Sequence, residues 1–406
     1  MSPTPPLHHI AKHPRGTPTL RRTPTLVLLT LLCIAAVIAF VLVTRPRPAS
    51  PPGLLLDGSQ PPDTSGFERA LTPRDFAFPE DHGPHLGFQT EWWYYTGNLT
   101  TADGRHVGYQ LTFFRRGLTP DAPERPSGFA TNQVYFAHFA LTDVAGNEHT
   151  STERFSRGAA GLAGATGQPF GVWLEDWRAE ALTPDGSAVR LVARQGALAL
   201  DLELRAVKPI VPHGDRGLSP KSGVAGNASY YLSYTNMETT GEVVLGGLPL
   251  EVTGQSWFDH EWSTSALGAG AVGWDWFSLQ LDDGRELMYF QIRQADGSIE
   301  PVSGGTLVAA DGTARHFGSD EVELEVLATW RSPTSGGRYP SRWRFSIPAE
   351  QLVLEIEPWI ADQEMQLSFV YWEGAVRLTG QSAGAPVAGV GYVELTGYVT
   401  SIAGQF

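Results

Sequence analysis

From about residue 67 onward, short runs of β-forming residues set between turn signals recur through the chain, and they constrain its fold more than any other feature. Stretches rich in Val, Thr, Tyr, Phe and Trp alternate with Gly, Pro and Asp-Gly signals, as strands joined by tight turns do. Examples are 107–114, 134–141, 198–204, 230–234, 287–292, 352–356, 366–372 and 392–398. A sustained helical period is hard to find, so the folded part is expected to be all-β and mostly antiparallel.

An internal repeat organises these strands. Trp93-Tyr94-Tyr95, Asp103-Gly104-Arg105, Tyr109-Gln110-Leu111 and Arg115 return as Trp274-Asp275-Trp276, Asp283-Gly284-Arg285, Tyr289-Phe290-Gln291 and Arg293. Each copy is an aromatic strand, an Asp-Gly hairpin and a second aromatic strand ending in arginine. The separation of 180 residues between the Asp-Gly turns suits one medium barrel or sandwich. With 406 residues the chain exceeds a single core. Two similar barrels are expected, at 67–235 and 236–406, with 208–220 as a long irregular connection near the boundary.

The N-terminal part reads differently. Residues 26–43 are apolar apart from Thr30, long enough to cross a bilayer. Lys12, Arg15, Arg21 and Arg22 precede this run and only Arg45 and Arg47 follow closely, which puts residues 1–24 in the cytoplasm and the bulk of the chain outside it. An uncleaved anchor at 25–44 is expected rather than a signal peptide, because the following residues lack an A-x-A cleavage pattern. The Pro-rich stretch 45–66 reads as an extended spacer. Cys33, the one cysteine, lies within the apolar run, so the folded part holds no disulfide and no thiolate metal site. A formal net charge of −14 argues against nucleic acid as a partner.

Chemistry concentrates in Gly254-Gln255-Ser256-Trp257-Phe258-Asp259-His260-Glu261-Trp262 and in Trp274-Asp275-Trp276-Phe277. Carboxyl groups held among aromatic rings have their charged forms disfavoured and can remain proton donors near neutral pH. Strand alternation would put Trp257, Asp259 and Glu261 on one face and Phe258, His260 and Trp262 on the other, so the three polar groups converge only if a bulge intervenes. The structural alternative is that these carboxylates pair with backbone amides or arginines such as Arg293, while His260 satisfies a buried carbonyl. A second cluster, Glu91-Trp92-Trp93-Tyr94-Tyr95, buries an acid that needs a partner, and His138 stands alone on an apolar strand. No metal and no cofactor is expected, nor a phosphate loop or serine-esterase elbow.

Taken with Tyr371-Trp372-Glu373-Gly374-Ala375-Val376 and Gly391-Tyr392-Val393-Glu394-Leu395-Thr396-Gly397-Tyr398, these blocks resemble the carotenoid 1,2-hydratase and AttH-like family over about residues 67–403. Members are often labelled secreted hydrolases. The resemblance implies a pair of lipocalin-like β-barrels and acid-catalysed addition of water to a C=C bond of an apolar isoprenoid or lipid-like substrate. Asp275 or His260 would donate the proton, and Asp259 or Glu261 would orient water. Trp262, Trp274 and Trp276 would stabilise the cation, and Glu91, Trp92, Tyr94 and His138 would complete the substrate site, expected between the barrels. The alternative is a noncatalytic carrier of hydrophobic ligands, or an accessory protein of an exporter.

Overall fold

The computed structural model describes residues 64–402 apart from 123, 125, 265 and 266, so the expected tail, anchor and nearly all of the linker lie outside the described residues. Among the described residues no helix is long and apolar enough to cross a membrane. The fold opens with β1 (Thr90–Thr101), β2 (His106–Gly117), β3 (Gln133–Asp143) and β4 (Glu148–Arg157). Five shorter strands follow: β5 (Ala163–Gly167), β6 (Phe170–Leu174), β7 (Trp177–Ala181), β8 (Ala188–Gln195) and β9 (Leu198–Ala206). Then come β10 (Val211–Pro212), β11 (Leu218–Pro220), β12 (Ala228–Leu245) and β13 (Leu248–Ser263). These make one 13-stranded sheet in the order β4-β3-β2-β1-β13-β12-β9-β8-β7-β6-β5, with β10 and β11 paired to β12.

The second sheet starts with β14 (Ala271–Leu281), β15 (Glu286–Gln294), β16 (Gly304–Val308), β17 (Ala314–Gly318) and β18 (Glu323–Arg331). It continues through β19 (Arg338–Ile347), β20 (Leu352–Pro358), β21 (Glu364–Gln366), β22 (Val370–Ser382) and β23 (Ala385–Leu395). Its order is β17-β16-β15-β14-β23-β22-β20-β19-β18, with β21 on β22. The pairings are antiparallel. Each sheet curls around its own apolar core, barrel-like: Trp93, Leu111, Leu191 and Leu202 fill the first, and Phe277, Trp343, Leu354 and Val393 the second. The all-β expectation therefore stands.

The repeat has a topological counterpart. In both sheets the first strand pairs with the second and with the last: β1 with β2 and β13, β14 with β15 and β23. The Asp-Gly turns need their glycines, since Gly104 and Gly284 sit at φ +86° and +84°. Each copy's terminal arginine reaches a carboxylate on the first strand: Arg115 Nε is 2.8 Å from Glu91 and Arg293 Nε is 2.9 Å from Asp275.

The change of sheet falls elsewhere than expected. Position 235 lies inside β12, and β13 pairs with β1 from Val252 to Ser263, so the first sheet ends at Ser263 and the second begins at Ala271. The irregular stretch around 208–220 contributes β10 and β11 to the first sheet, and a register shift between Tyr234 and Met237 breaks the pattern of β12 from within.

Contacts between the sheets are intimate. Asn98 Nδ2 donates to the Gly391 carbonyl at 2.9 Å, and Gln280 Nε2 donates to the carbonyls of Thr235 and Ser256 at 2.9 and 3.0 Å. Gly108 on β2 lies so close to β22 that a Cβ there would meet the Ala375 methyl at 2.7 Å.

Candidate active site at the sheet junction

Alternation decides which side chains share a space. The ladder of β13 against β1 runs without a shift from Val252 to Ser263, so no bulge reorients the block. Asp259 and Glu261 face a pocket between the sheets, whereas Phe258 points into the first core. On β1 the same parity sends Trp92 and Tyr94 to the pocket and Trp93 and Tyr95 inward. On β14, Trp274 and Trp276 line the pocket, while Phe277 belongs to the second core.

The pocket comprises about 800 Å³ of space between atoms, part of it open solvent. Trp92, Tyr94, Trp276, Phe290 and Tyr371 give it an aromatic wall. Four carboxyl groups interrupt that wall: Asp259 and Glu261 from β13, Glu373 from β22 and Glu394 from β23. The faces of the rings already attract a cation, since Lys221 Nζ lies 4.4 Å from the Phe290 centroid and 5.2 Å from that of Tyr231.

The acids differ in surroundings. Burial pushes the Asp259 carboxyl up to about 7, and the charge of Glu261 adds to the effect. Donors from Ser233, Tyr231 and Trp257 oppose the shift, the last two at 2.6 Å each. Glu261 is differently placed, bonded to Ser229 and 2.7 Å from Lys221 Nζ. Glu373 and Glu394 sit directly opposite each other in the β22–β23 ladder. Burial raises both; it takes Glu394 to about 7 against a 3.1 Å hydrogen bond from Trp274 Nε1. Glu373 is held well above the usual carboxylate range by burial and by its neighbour Glu394. The hydroxyls of Tyr94 and Tyr371 oppose that shift, yet neither Glu373 oxygen completes a hydrogen bond. Two facing carboxyls in a dry wall cannot both ionise cheaply, so the pair retains a proton near neutral pH.

Other expected residues lie outside this pocket. His260 and Glu91 belong to a buried network behind β13 and β1. His260 Nε2 is 2.9 Å from Glu91, His85 Nδ1 is 2.8 Å from it, and Arg115 completes the cage. Burial alone would raise Glu91, but the Arg115 guanidinium and the two imidazoles hold its carboxyl well below the usual range. His260 thus meets a carboxylate rather than a backbone carbonyl. Ligand atoms of His85, Glu91 and His260 lie within 4.8 Å of one another. With Arg115 donating to the same carboxylate and both imidazoles at hydrogen-bond distance, the set has the chemistry of a proton-bonded ion cluster rather than of a metal centre.

Asp275 is fixed beside the second core by Arg293, by Gln291 Nε2 at 2.8 Å and by the Tyr398 hydroxyl at 3.0 Å. Trp262 packs among Phe76, Tyr230 and His85, away from the pocket. His138 touches the site indirectly, with Nδ1 2.7 Å from the hydroxyl of pocket-lining Tyr371. Of the expected residues, then, Asp259, Glu261, Trp92, Tyr94, Trp274 and Trp276 come together, and His260, Asp275, Glu91, Trp262 and His138 do not line this space.

Sequence reasoning passed over Glu373, Glu394, Tyr231 and Lys221. A signal for the two glutamates exists, because each is an acid at mid-strand in an otherwise apolar block. The spacing Gly380-Gln381-Ser382-Ala383-Gly384, also passed over, has the pattern of a serine nucleophile elbow. It forms the hairpin between β22 and β23 rather than a strand-to-helix turn, and Ser382 accepts from Arg285 at 2.7 Å.

The AttH-like family model matches residues 69–398, which spans both sheets and every residue of the pocket. The chain belongs to the AttH-like family. Among solved structures, an AttH protein from Nitrosomonas europaea is 35% identical with a TM-score of 0.73, covering 82% of this AttH-like chain and 100% of its own. Kievitone hydratase from Nectria haematococca shares the fold at 16% identity and a TM-score of 0.62, over 82% of this chain and 97% of its own. CghA, solved with Sch210972, shows the fold at 13% identity and a TM-score of 0.50, over 84% and 98%. No curated protein matches the chain.

Proposed function

We propose that this AttH-like chain is a hydratase that adds water to a C=C bond of an apolar isoprenoid or lipid-like substrate by acid catalysis in the sheet-junction pocket. The carrying observation is the set of buried carboxyls in an aromatic wall, Asp259 and Glu394 raised to about 7 and Glu373 raised well above the usual carboxylate range. Alkene hydration needs a proton donor shielded from water, π faces for the resulting cation, and a base for the attacking water.

Asp259 takes the donor role. Its proton adds to one alkene carbon, and Trp276, Phe290 and Trp92 face the cation left on the other. Water attacks that carbon and gives its extra proton to the Glu373–Glu394 pair, forming the alcohol. Glu261, 2.7 Å from Lys221 Nζ, lies on the same wall as Asp259. Relative to the sequence expectation, the donor moves from Asp275 or His260 to Asp259 because parity puts the former two on other faces. The hydratase named among the fold neighbours is compatible with this reading.

The finer sequence expectations join the proposal: both curled sheets are lipocalin-like barrels, and the apolar run 26–43 tethers them outside the cytoplasm, where an apolar substrate is reached from a membrane and an exporter component is a partner. The test is incubation of the chain with unsaturated isoprenoids and lipids in oxygen-18 water, read by mass spectrometry. Gain of one labelled water, lost in Asp259→Asn, supports the hydratase. Ligand that binds and stays chemically unchanged would instead make the chain a carrier.

A further inference from the structure

Each turnover of the reaction proposed above leaves Asp259 ionised, while the proton from water ends on the opposite wall. An apolar substrate filling the pocket bars solvent from that side, so the donor needs another supply. The structure provides a candidate. Asp259 Oδ1 accepts the Ser233 hydroxyl, and Ser233 Oγ is 2.7 Å from His213 Nε2. Nδ1 of that ring is 2.8 Å from Thr306 Oγ1, which in turn is 2.8 Å from Nδ1 of His316. Ser233, His213 and Thr306 are at most 1% exposed, whereas His316 is at the surface. The chain of groups begins on β12, passes the residue after β10 and crosses to β16 and β17, so it joins one sheet to the other.

Donor capacities fix its direction. A carboxylate only accepts, so Ser233 donates to Asp259 and its oxygen accepts from His213 Nε2–H. Burial, with the charges of His316 and Lys221, keeps the His213 imidazole neutral, with one N–H and one bare nitrogen. The bare Nδ1 accepts from Thr306, whose oxygen accepts from His316 Nδ1–H. Every link then donates toward Asp259. The other two donors to this carboxylate lead nowhere: Trp257 is an indole N–H, and the Tyr231 hydroxyl accepts from the indole of Trp276 at 2.9 Å.

We propose that Asp259, Ser233, His213, Thr306 and His316 form a proton wire that recharges the pocket acid from solvent while substrate occupies the pocket. This use rests on the proposed acid chemistry; the hydrogen-bonded chain does not. In one passage His316 Nε2 takes a proton from bulk water, and its Nδ1 proton moves to Thr306 Oγ1. The Thr306 hydroxyl proton moves to His213 Nδ1, the Nε2 proton of that ring to Ser233, and the Ser233 proton to Asp259. One carboxylate becomes a carboxyl, and no other group changes charge. Rotation of the two hydroxyls and tautomer exchange of the two imidazoles reset the wire.

The test follows hydrogen–deuterium exchange of the Asp259 carboxyl by stopped-flow infrared spectroscopy of the full chain, with its band assigned by loss in Asp259→Asn. Buffer saturated with the saturated isoprenoid pristane serves as the filled-pocket condition. Thr306→Val keeps the shape and removes the link, and is expected to slow exchange about tenfold or more, while Thr306→Ser exchanges like the parent. Ser233→Ala breaks a second hydroxyl link and serves in its place if Thr306→Val does not fold. Equal rates in the parent and the link-breaking variant would overturn the wire. Because no hydration is read, a carrier can pass this test and a hydratase fed from the pocket mouth can fail it.

Discussion

Two buried carboxylates in this chain illustrate how surroundings set opposite behaviour. Glu91, caged by Arg115, His85 and His260, stays ionised; its contribution to stability is present above the ordinary carboxylate pKa and is lost as pH falls toward its depressed value. Burial, with the charge of Glu261, instead raises the folded pKa of Asp259 from 3.8 to about 7, against the hydrogen bonds from its neutral donors. The sign is therefore reversed. The folded state binds the proton more tightly, and that stabilisation is full below 3.8 and gone once pH exceeds about 7. Asp259→Asn removes the need to ionise in a dry wall. The variant is expected to gain stability relative to the parent as pH rises from 4 to 8, by on the order of 3 kcal/mol, in denaturant melts taken across that range. A parent and variant with parallel pH profiles would show that Asp259 is solvated and ordinary.

At the level of strands, the period of two carries most of the functional argument. It separates Asp259 and Glu261 from His260, and Trp274 and Trp276 from Asp275, with no register shift among these residues. That separation was legible in the sequence, as were the Asp-Gly hairpins and the repeated first strands, because alternation and turn chemistry are local properties. The site itself was legible only in part. Glu373 and Glu394 reach the pocket through pairing of β22 with β23 and of β23 with β14, which no local pattern near residue 260 announces. The boundary was misplaced because Pro209 and the irregular residues after it look like a linker, although they lead into β10 and β11 on the same sheet. Close approach of β2 to β22 is also invisible to hydropathy; it depends on Gly108 lacking a side chain. Gly108→Ala is expected to force the strands apart, costing about 1–3 kcal/mol in denaturant unfolding and weakening apolar ligand binding at the junction. An unchanged midpoint would mean that the two sheets slide past each other freely.

The described residues form a duplicated sheet whose second copy completes the first. Neither sheet alone closes the pocket: Asp259, Glu261 and Tyr231 come from one, and Trp276, Glu373 and Glu394 from the other. Lys208, leaving β9, reinforces the join by donating to Glu286 at 2.6 Å and to the Gly284 carbonyl on the other side. The acids consequently lose water only when both sheets are in place, which is what gives them donor character near neutrality. Infrared titration of carboxyl C=O bands in the full chain, with Asp259→Asn, Glu373→Gln and Glu394→Gln as assignments, addresses this most directly. Protonated carboxyl bands of Asp259 and Glu394 at pH 6 that fade around pH 7, with the Glu373 band fading well above the usual carboxylate range, are the expected result. Complete ionisation of all three by pH 6 would contradict an acid site at the sheet junction.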